Sequence, residues 1–456
     1  MSKQARHIVF LGIGGIGMSA LARWFKALGW EVSGYDRRET GLTQALAAEG
    51  IEVSYEIDSA IFKPETTKVV YTPALPSDHP LIKLAKSKAF PLVKRAELLG
   101  EISKGFKTIA VAGTHGKTTI STMCAHILHQ SALKASALLG GISLNYSSNT
   151  VIGSPDGILV TEADEYDRSF LRLNPAIALI SAMDPDHLDI YGSSEEMLSA
   201  FQQFAGKVKE NGSLVVHHTL SLQPLQSINL YRYSLSDKSS DFFAGNIRTS
   251  EKGSEFRLYF PDSEKVDCFL PVPGKVNIEN AIAASALSWL AGASADEIKS
   301  GLSSYRGIYR RFDILYKNDE VVYMDDYAHH PAELSAIASL AKDYYGRYNK
   351  VAIFQPHLYS RTRDLADGFA ESLDKFDETF LLPVYPAREE PIPGIDSEII
   401  LKRMKSPKKS LIQPEEALNI IHRLKKPFLL LTLGAGDIDL LREPIVRQLK
   451  KKEETE

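Results

Sequence analysis

The residues with the clearest chemical meaning are Ala112-Gly113-Thr114-His115-Gly116-Lys117-Thr118-Thr119, which follow the strand-like run Thr108–Val111 and precede a helix-like stretch. Glycines in such a loop let the backbone wrap an oxyanion, and the following helix aims its N–H groups and positive dipole end at it. Lys117 adds a mobile charge and Thr118 a hydroxyl suited to Mg²⁺. The ligand this points to is ATP, gripped by Gly113, Thr114, His115, Gly116, Lys117, Thr118 and Thr119. The spacing is shorter than the strict G-x-x-x-x-G-K-[ST] pattern, because Val111 stands five residues before Gly116 and the first loop glycine is Gly113.

A second glycine loop, Gly12-Ile13-Gly14-Gly15-Ile16-Gly17, sits directly after the apolar run His7–Leu11, and Asp36 closes the next strand-like run nineteen residues after Gly17. Glycines there allow a tight turn and close approach of a diphosphate to a helix N-terminus, with the acidic residue placed against a ribose or base. NAD and a UDP-sugar both present such a diphosphate, and the loop does not choose between them.

Further polar groups fall at the ends of strand-like runs, where open parallel sheets gather ligands. Glu162 ends Ile158–Thr161 and opens the acidic cluster that runs to Asp167, a placement suited to Mg²⁺, and His187 in the next strand-end loop is a second candidate ligand. Asn277 and Asn280 begin a long helical stretch, where capping is the default reading for Asn277 and an amide can also meet an adenine edge. Arg310-Arg311 offers a guanidinium for a terminal phosphate. Asp325-Asp326-Tyr327-Ala328-His329-His330-Pro331 and Gln355-Pro356-His357, with Arg361 and Arg363 behind, are two strand-end loops rich in proton-handling and anion-binding groups.

The elements that must position these residues alternate. Strand-like runs at 7–11, 31–35, 68–71, 108–111, 158–161, 176–182, 213–216, 321–324, 350–354, 379–382 and 428–431 are interleaved with helical periodicity at 18–28, 194–209 and 277–291. Residues 229–272 carry short β-like runs, and 292–311 read as a Gly/Ser/Arg-rich stretch. The expectation is an α/β protein of three domains: a Rossmann-like domain over 1–106, a P-loop-type central ATPase domain over 107–311 and a Rossmann-like domain over 312–456. With 57 acidic and 53 basic side chains and a net charge of -4, the 456-residue chain has no broad basic field for nucleic acid. Cys124 and Cys268 form no C-x-x-C pair, and no apolar run reaches membrane-spanning length. With no secretory leader before the first strand, the expected location is the cytoplasm, with no membrane partner.

Taken together, these segments resemble the Mur ligase family, the ATP-dependent amide-bond-forming enzymes of peptidoglycan precursor synthesis. The family's short phosphate loop, G-T-x-G-K-[TS], is matched by Gly113 to Thr118. The G-x-G-G-x-G-M start, the N-x-x-N-A run, Arg310-Arg311-Phe312, Asp325 to Pro331, Phe354 to Arg363 and Leu433 to Asp437 are similar to the members that add L-alanine to UDP-N-acetylmuramate. The resemblance implies that Gly14, Gly15, Ile16, Gly17 and Asp36 bind the UDP part. It further implies that Lys117 grips phosphates, that Thr118, Glu162 and His187 ligate Mg²⁺, that Asn280 faces adenine with Asp326 on the nucleotide side, and that Arg311 approaches the γ-phosphate. Tyr327, His329 and Arg361 would form the amino-acid site, with His329 as a proton acceptor. The chain is expected to act as a monomer or weak homo-oligomer. Leu358 departs from the arginine of many alanine-adding relatives, and the acidic run from Glu162 is also similar to the member that recycles murein tripeptide. Two readings from other classes are an NAD-dependent sugar-nucleotide dehydrogenase, which leaves 113–119 unexplained, and an ATP-switched binding module, which does not require the loops at 325–331 and 354–363.

Overall fold

The computed structural model describes residues 6–184, 191–222, 227–387 and 389–455. They form two compact units, one of residues up to 248 with 252–306, the other of 249–251 with 307 onward.

The first unit carries two sheets. Five strands, β1 (His7–Leu11), β2 (Glu31–Tyr35), β3 (Glu52–Ser54), β4 (Thr66–Tyr71) and β5 (Leu92–Lys94), lie in the order β3-β2-β1-β4-β5. Every pairing is parallel. All five residues of β1 are buried, as expected of a central parallel strand covered on both faces. The order reverses at β1, and the glycine loop leaves its carboxyl end at that switch point.

The second sheet has ten strands: β6 (Lys107–Ala112), β7 (Ser136–Ser143), β8 (Ser148–Val151), β9 (Ile158–Glu162), β10 (Ile177–Ile180), β11 (Ser213–His217), β12 (Asn229–Ser234), β13 (Phe242–Ser250), β14 (Gly253–Tyr259) and β15 (Lys265–Leu270). Their order is β15-β14-β13-β12-β11-β10-β6-β9-β7-β8. The phosphate-loop strand β6 is paired in parallel on both sides, with β9 and β10. Glu162, Ser181 and the loop from Gly113 therefore emerge at one end of three adjacent strands.

Behind the loop, helix Lys117–Gln130 packs on helix Lys275–Ala291 through Ile120, Cys124, Ile127, Ala281 and Ala284, all buried. Burying each large aliphatic chain is worth about 1.5–3 kcal/mol, which anchors the loop's carboxyl side. Both thiols, Cys124 and Cys268, are free and buried, and burial pushes each up to about 12.

The stretch 292–311 holds an element that its composition concealed, the helix Ala295–Ser304. Ser294 and Glu297 close a capping box at its start, with Ser294 N donating to Glu297 Oε2 at 2.9 Å. Asn277 is not a cap. It lies inside helix Lys275–Ala291, whose N-cap is Gly274, and its Nδ2 donates back to Pro273 O at 2.6 Å.

The second unit has one six-stranded sheet of β16 (Asp313–Lys317), β17 (Val321–Asp326), β18 (Asn349–Phe354), β19 (Glu378–Leu381), β20 (Lys409–Leu411) and β21 (Phe428–Leu433), in the order β16-β17-β21-β18-β19-β20. Only β16 runs antiparallel to its neighbour. The loops after β17 and β18 leave from the same edge of the parallel core. The charged C-terminus continues the helix Arg442–Thr455.

Candidate active site

In the first glycine loop, Gly12 takes φ +86°, a left-handed conformation that favours glycine. Gly12 N and Ile13 N both donate to Tyr35 O, at 2.8 and 3.0 Å. Asp36 is engaged with backbone: its Oδ2 accepts from Gly14 N at 2.7 Å and its Oδ1 from Arg37 N at 2.8 Å. A Cβ on Gly14 would stand 2.8 Å from that same Oδ2. The aspartate expected to meet a ribose or base thus also fixes the loop's shape. Helix Ile16–Ala27 starts at Gly15 with no side-chain cap and no acidic residue in its first turn, which leaves its dipole end open to an anion.

In the phosphate loop, Gly113 and Gly116 take φ +129° and +80°. A Cβ on Gly113 would lie 2.8 Å from Ala182 N, so the loop and the segment after β10 are in close backbone approach. Thr114 N donates to Ala182 O at 3.1 Å, Asp184 N to Thr114 Oγ1 at 3.2 Å, and Ser181 Oγ to His115 O. His115 stays exposed, 3.5 Å from Asp184, and Thr119 is half-buried in the first turn of the helix.

Lys117 Nζ donates to Gly113 O at 2.8 Å and to Glu165 Oε1 at 2.7 Å. Glu165 is fully buried, its Oε2 has no hydrogen-bond partner among the described residues, and burial pushes its pKa up against the pull of Lys117. Beside it, Glu162 accepts from Gly140 N at 3.0 Å and Ser121 Oγ at 3.4 Å, and the Thr118 hydroxyl also bonds to it. Burial raises the Glu162 pKa as well. A Cβ on Gly140 would come within 2.4 Å of the Glu162 carboxylate, so only glycine leaves room for it. Asn280 faces the loop: its Oδ1 lies 3.0 Å from where a Cβ on Gly116 would be.

Thr118 and Glu162 thus bring hard oxygen donors together, a pair that suits Mg²⁺, which keeps several waters and takes few protein ligands beside phosphate oxygens. Among the described residues no group of three His, Cys, Asp or Glu side chains is arranged to hold a metal. His187 lies outside the described residues. Glu165, Gly140 and Ser121 carried no separate signal in the sequence, because their roles depend on which strands become neighbours.

In the second unit, Arg310 is buried and takes φ +59°; its Nε donates to Asp325 Oδ2 at 3.0 Å. Arg442 Nη1 donates to the same oxygen at 2.9 Å, and Arg442 Nη2 to Asp313. Asp326 Oδ2 accepts from Phe312 N at 2.6 Å and Oδ1 from Ala328 N at 2.8 Å. Burial pushes Asp326 up to about 6, while the Arg311 charge pulls it down. This knot locks the chain on both sides of Arg311, which is itself exposed and has its guanidinium 5.8 Å from the centre of the Tyr327 ring.

His329 Nδ1 donates to Tyr327 O at 2.9 Å, and Glu333 accepts from His329 N at 2.8 Å. Burial lowers the His329 pKa, and the imidazole is neutral near pH 7. Its ring lies 6.0 Å from that of His357, which is 3.5 Å from Arg361 Nη1 and stacked on Tyr385. Tyr327, His329 and Arg361 therefore share one surface, with His357 as their link. Leu358 takes φ +71° beside them, its N–H on Tyr385 O at 2.9 Å.

Three family models follow one another along the chain: Mur ligase family, catalytic domain, at 7–107; Mur ligase middle domain at 111–288; and Mur ligase, glutamate ligase domain, at 310–436. The UDP-N-acetylmuramate–L-alanine ligase of Porphyromonas gingivalis is 43% identical over 452 residues, covering 98% of this chain and 99% of that one. That of Parabacteroides distasonis is 44% identical, covering 97% of each. Among solved structures, the UDP-N-acetylmuramate–alanine ligase of Thermotoga maritima superposes with a TM-score of 0.83 at 27% identity, covering 98% of this chain and 99% of that one. A murein peptide ligase of Psychrobacter arcticus gives 0.71 at 22% identity over 98% and 99% of the two chains, a likeness of fold. The glycine loops, the Lys117 cluster and the paired strand-end loops of the second unit are the parts of one architecture, and the chain belongs to the Mur ligase family.

Proposed function

We propose that this chain joins L-alanine to the lactyl carboxylate of UDP-N-acetylmuramate at the expense of ATP, through an acyl phosphate, in the cytoplasmic synthesis of peptidoglycan precursors. The observation that carries the proposal is the end-to-end likeness to L-alanine ligases, 43% identity over 98% of the chain. In this reading residues 1–106 hold the UDP part through Gly14–Gly17 and Asp36. Residues 107–311 hold ATP through Gly113–Thr119, with Asn280 toward adenine, and residues 312–456 supply the amino-acid site from Tyr327, His329 and Arg361. Asp326 serves the nucleotide side by holding Phe312 N, and with it the backbone next to Arg311.

A carboxylate is a poor acyl donor because oxide would have to leave. One lactyl oxygen attacks the γ-phosphorus, the bond to ADP breaks, and the carboxylate becomes a mixed anhydride. The alanine amine then attacks the carbonyl carbon and inorganic phosphate leaves. Lys117 and Arg311 offset charge on the phosphoryl group in transfer. His329, neutral and held by Tyr327 O, accepts the proton the amine must lose. Magnesium, held by Thr118, Glu162 and His187, would supply further neutralisation of phosphate charge.

The test is phosphate release from Mg-ATP with UDP-N-acetylmuramate and an amino acid, each omitted in turn. Release that requires all three and is fastest with L-alanine is expected. Release that needs no amine, or that a murein tripeptide supports better than L-alanine, overturns the assignment.

A further inference from the structure

The edge strand of the ten-stranded sheet, β8, does not lie open. The helix Ile16–Ala27 packs on it, and Leu138 and Leu159 of that sheet share a buried core with Met18, Leu21 and Trp24 of the helix. Within this apolar contact sits Asn149, a polar side chain with no exposed surface. Its Nδ2 donates to Ile16 O at 2.7 Å and to Ser19 Oγ at 2.9 Å, and its Oδ1 accepts from Arg23 Nη1 at 2.6 Å. The reversed amide would set its NH₂ against the guanidinium, so a single orientation satisfies all three partners. Arg23 is held in turn by Glu49 through three bonds of 2.7 to 3.0 Å.

Apolar side chains alone would join helix to strand while tolerating a slip, whereas a buried and fully bonded amide fixes one register. What its partners carry gives that register chemical weight. Ile16 belongs to the glycine loop of the first sheet. β7, the other strand of the Asn149 hairpin, carries Gly140, whose N–H donates to Glu162 Oε1 at 3.0 Å beside the phosphate loop. One hairpin therefore holds the start of the sugar-loop helix on one strand and a carboxylate of the ATP site on the other.

We infer that Asn149 is a positioning residue for the reaction: by holding Ile16 O, it sets the glycine loop of the first sheet, and the carboxylate of a substrate bound there, within reach of in-line attack on the γ-phosphate. The inference rests on the proposed function, which places the two reactants on these two loops. A displacement of about 1 Å between reacting groups costs on the order of a hundredfold in rate. Asn149 bonds to no loop N–H, so its loss should be felt in kcat rather than in affinity for either nucleotide.

Turnover of the full chain at saturating substrates, beside calorimetric affinities for UDP-N-acetylmuramate and for ATP, tests this in three variants. Asn149→Ala removes the amide. Asn149→Asp keeps its volume and the Arg23 bond but cannot donate to Ile16 O. Thr150→Val is the control, since it breaks the neighbouring bond from Thr150 Oγ1 to Ala20 O, 2.9 Å long, which fastens the body of the helix and not its first turn. Both Asn149 variants are expected to lose about ten- to a hundredfold in kcat with both affinities within about threefold of wild type, while Thr150→Val keeps kcat within about threefold. Wild-type kcat in a folded Asn149→Asp variant overturns the inference and leaves Asn149 as interface packing. A loss in Thr150→Val as large as that in Asn149→Ala also overturns it, since any loosening of the contact would then suffice. A wild-type chain that binds both nucleotides yet forms no amide would instead remove the proposed function on which the inference stands.

Discussion

The ammonium of Lys117 lies 2.7 Å from Oε1 of Glu165, a carboxylate with no exposed surface whose second oxygen has no hydrogen-bond partner among the described residues. Burial disfavours the charge on that carboxylate, and the cation beside it opposes the rise in its pKa. Lys117 is therefore tied to the buried glutamate, and in the proposed function it also serves the phosphate of ATP.

Lys117→Ala should lower turnover by orders of magnitude, since the transferring phosphoryl group loses its main side-chain cation. It should also strand Glu165, at a cost of up to about 3 kcal/mol. The Glu165 pKa, already raised by burial, then rises further. A raised folded-state pKa contributes stability below the unfolded value that is lost as pH rises through the folded one, so the variant should be least stable on the alkaline side. Adding Glu165→Gln should restore the melting temperature and leave turnover low. Recovery of activity by the double variant would contradict the role given to Lys117.

Gly140→Ala is expected to disable the site without replacing any ligand-binding side chain. Its methyl would come within 2.4 Å of the Glu162 carboxylate and drive it from Thr118 and Ser121. The magnesium concentration for half-maximal activity should rise at least about tenfold, as it should in Glu162→Gln. Titration curves that match wild type in both variants would reduce Glu162 to a loop contact.

Much of this was legible before folding. The central strands are short apolar runs followed by glycine loops, so both glycine loops and the positions of Glu162 and Asp326 at strand ends follow from pattern alone. At Asn277 an amide early in a helix resembles a cap, whereas Gly274 at φ +115° already turns the chain into the helix. Glycine and serine mask the helix Ala295–Ser304 in the composition, although Ser294 and Glu297 stand at capping-box spacing. Glu165 and Gly140 are beyond the reach of pattern for a different reason. Each is defined by a partner brought close by sheet order, β9 beside β6 and β7, and no local pattern encodes those neighbours.

Asp326 should govern part of the acid response of stability. Its folded-state value of about 6 lies above the ordinary 3.8, so its contribution is complete below about pH 4 and disappears as pH rises through about 6, by about 3 kcal/mol at most. Asp326→Asn should flatten that slope while lowering stability at pH 7, because one of the two N–H groups of Phe312 and Ala328 loses its acceptor. Arg311→Ala should shift the slope to higher pH, since the charge that pulls Asp326 down is removed. Chemical denaturation between pH 4 and 8 measures all three, and an unchanged slope in Asp326→Asn would assign the titration elsewhere.

His329, lowered from the ordinary 6.5 by burial, should remain a competent proton acceptor to a pH below that value. The acid limb of kcat should accordingly lie under pH 6.5 and vanish in His329→Gln, whose residual rate should be about a hundredfold lower. A variant that keeps both the rate and the limb would place the proton acceptor elsewhere.

The central claim is that the carboxylate is activated by phosphorylation, and isotope transfer tests it most directly. UDP-N-acetylmuramate carrying ¹⁸O in its lactyl carboxylate, incubated with the enzyme, Mg-ATP and L-alanine, should yield inorganic phosphate containing one heavy oxygen for each amide formed, because the attacking oxygen leaves with the phosphorus. Unlabelled phosphate alongside the amide product would mean that ATP is split by water or at another bond, and would contradict the acyl-phosphate account.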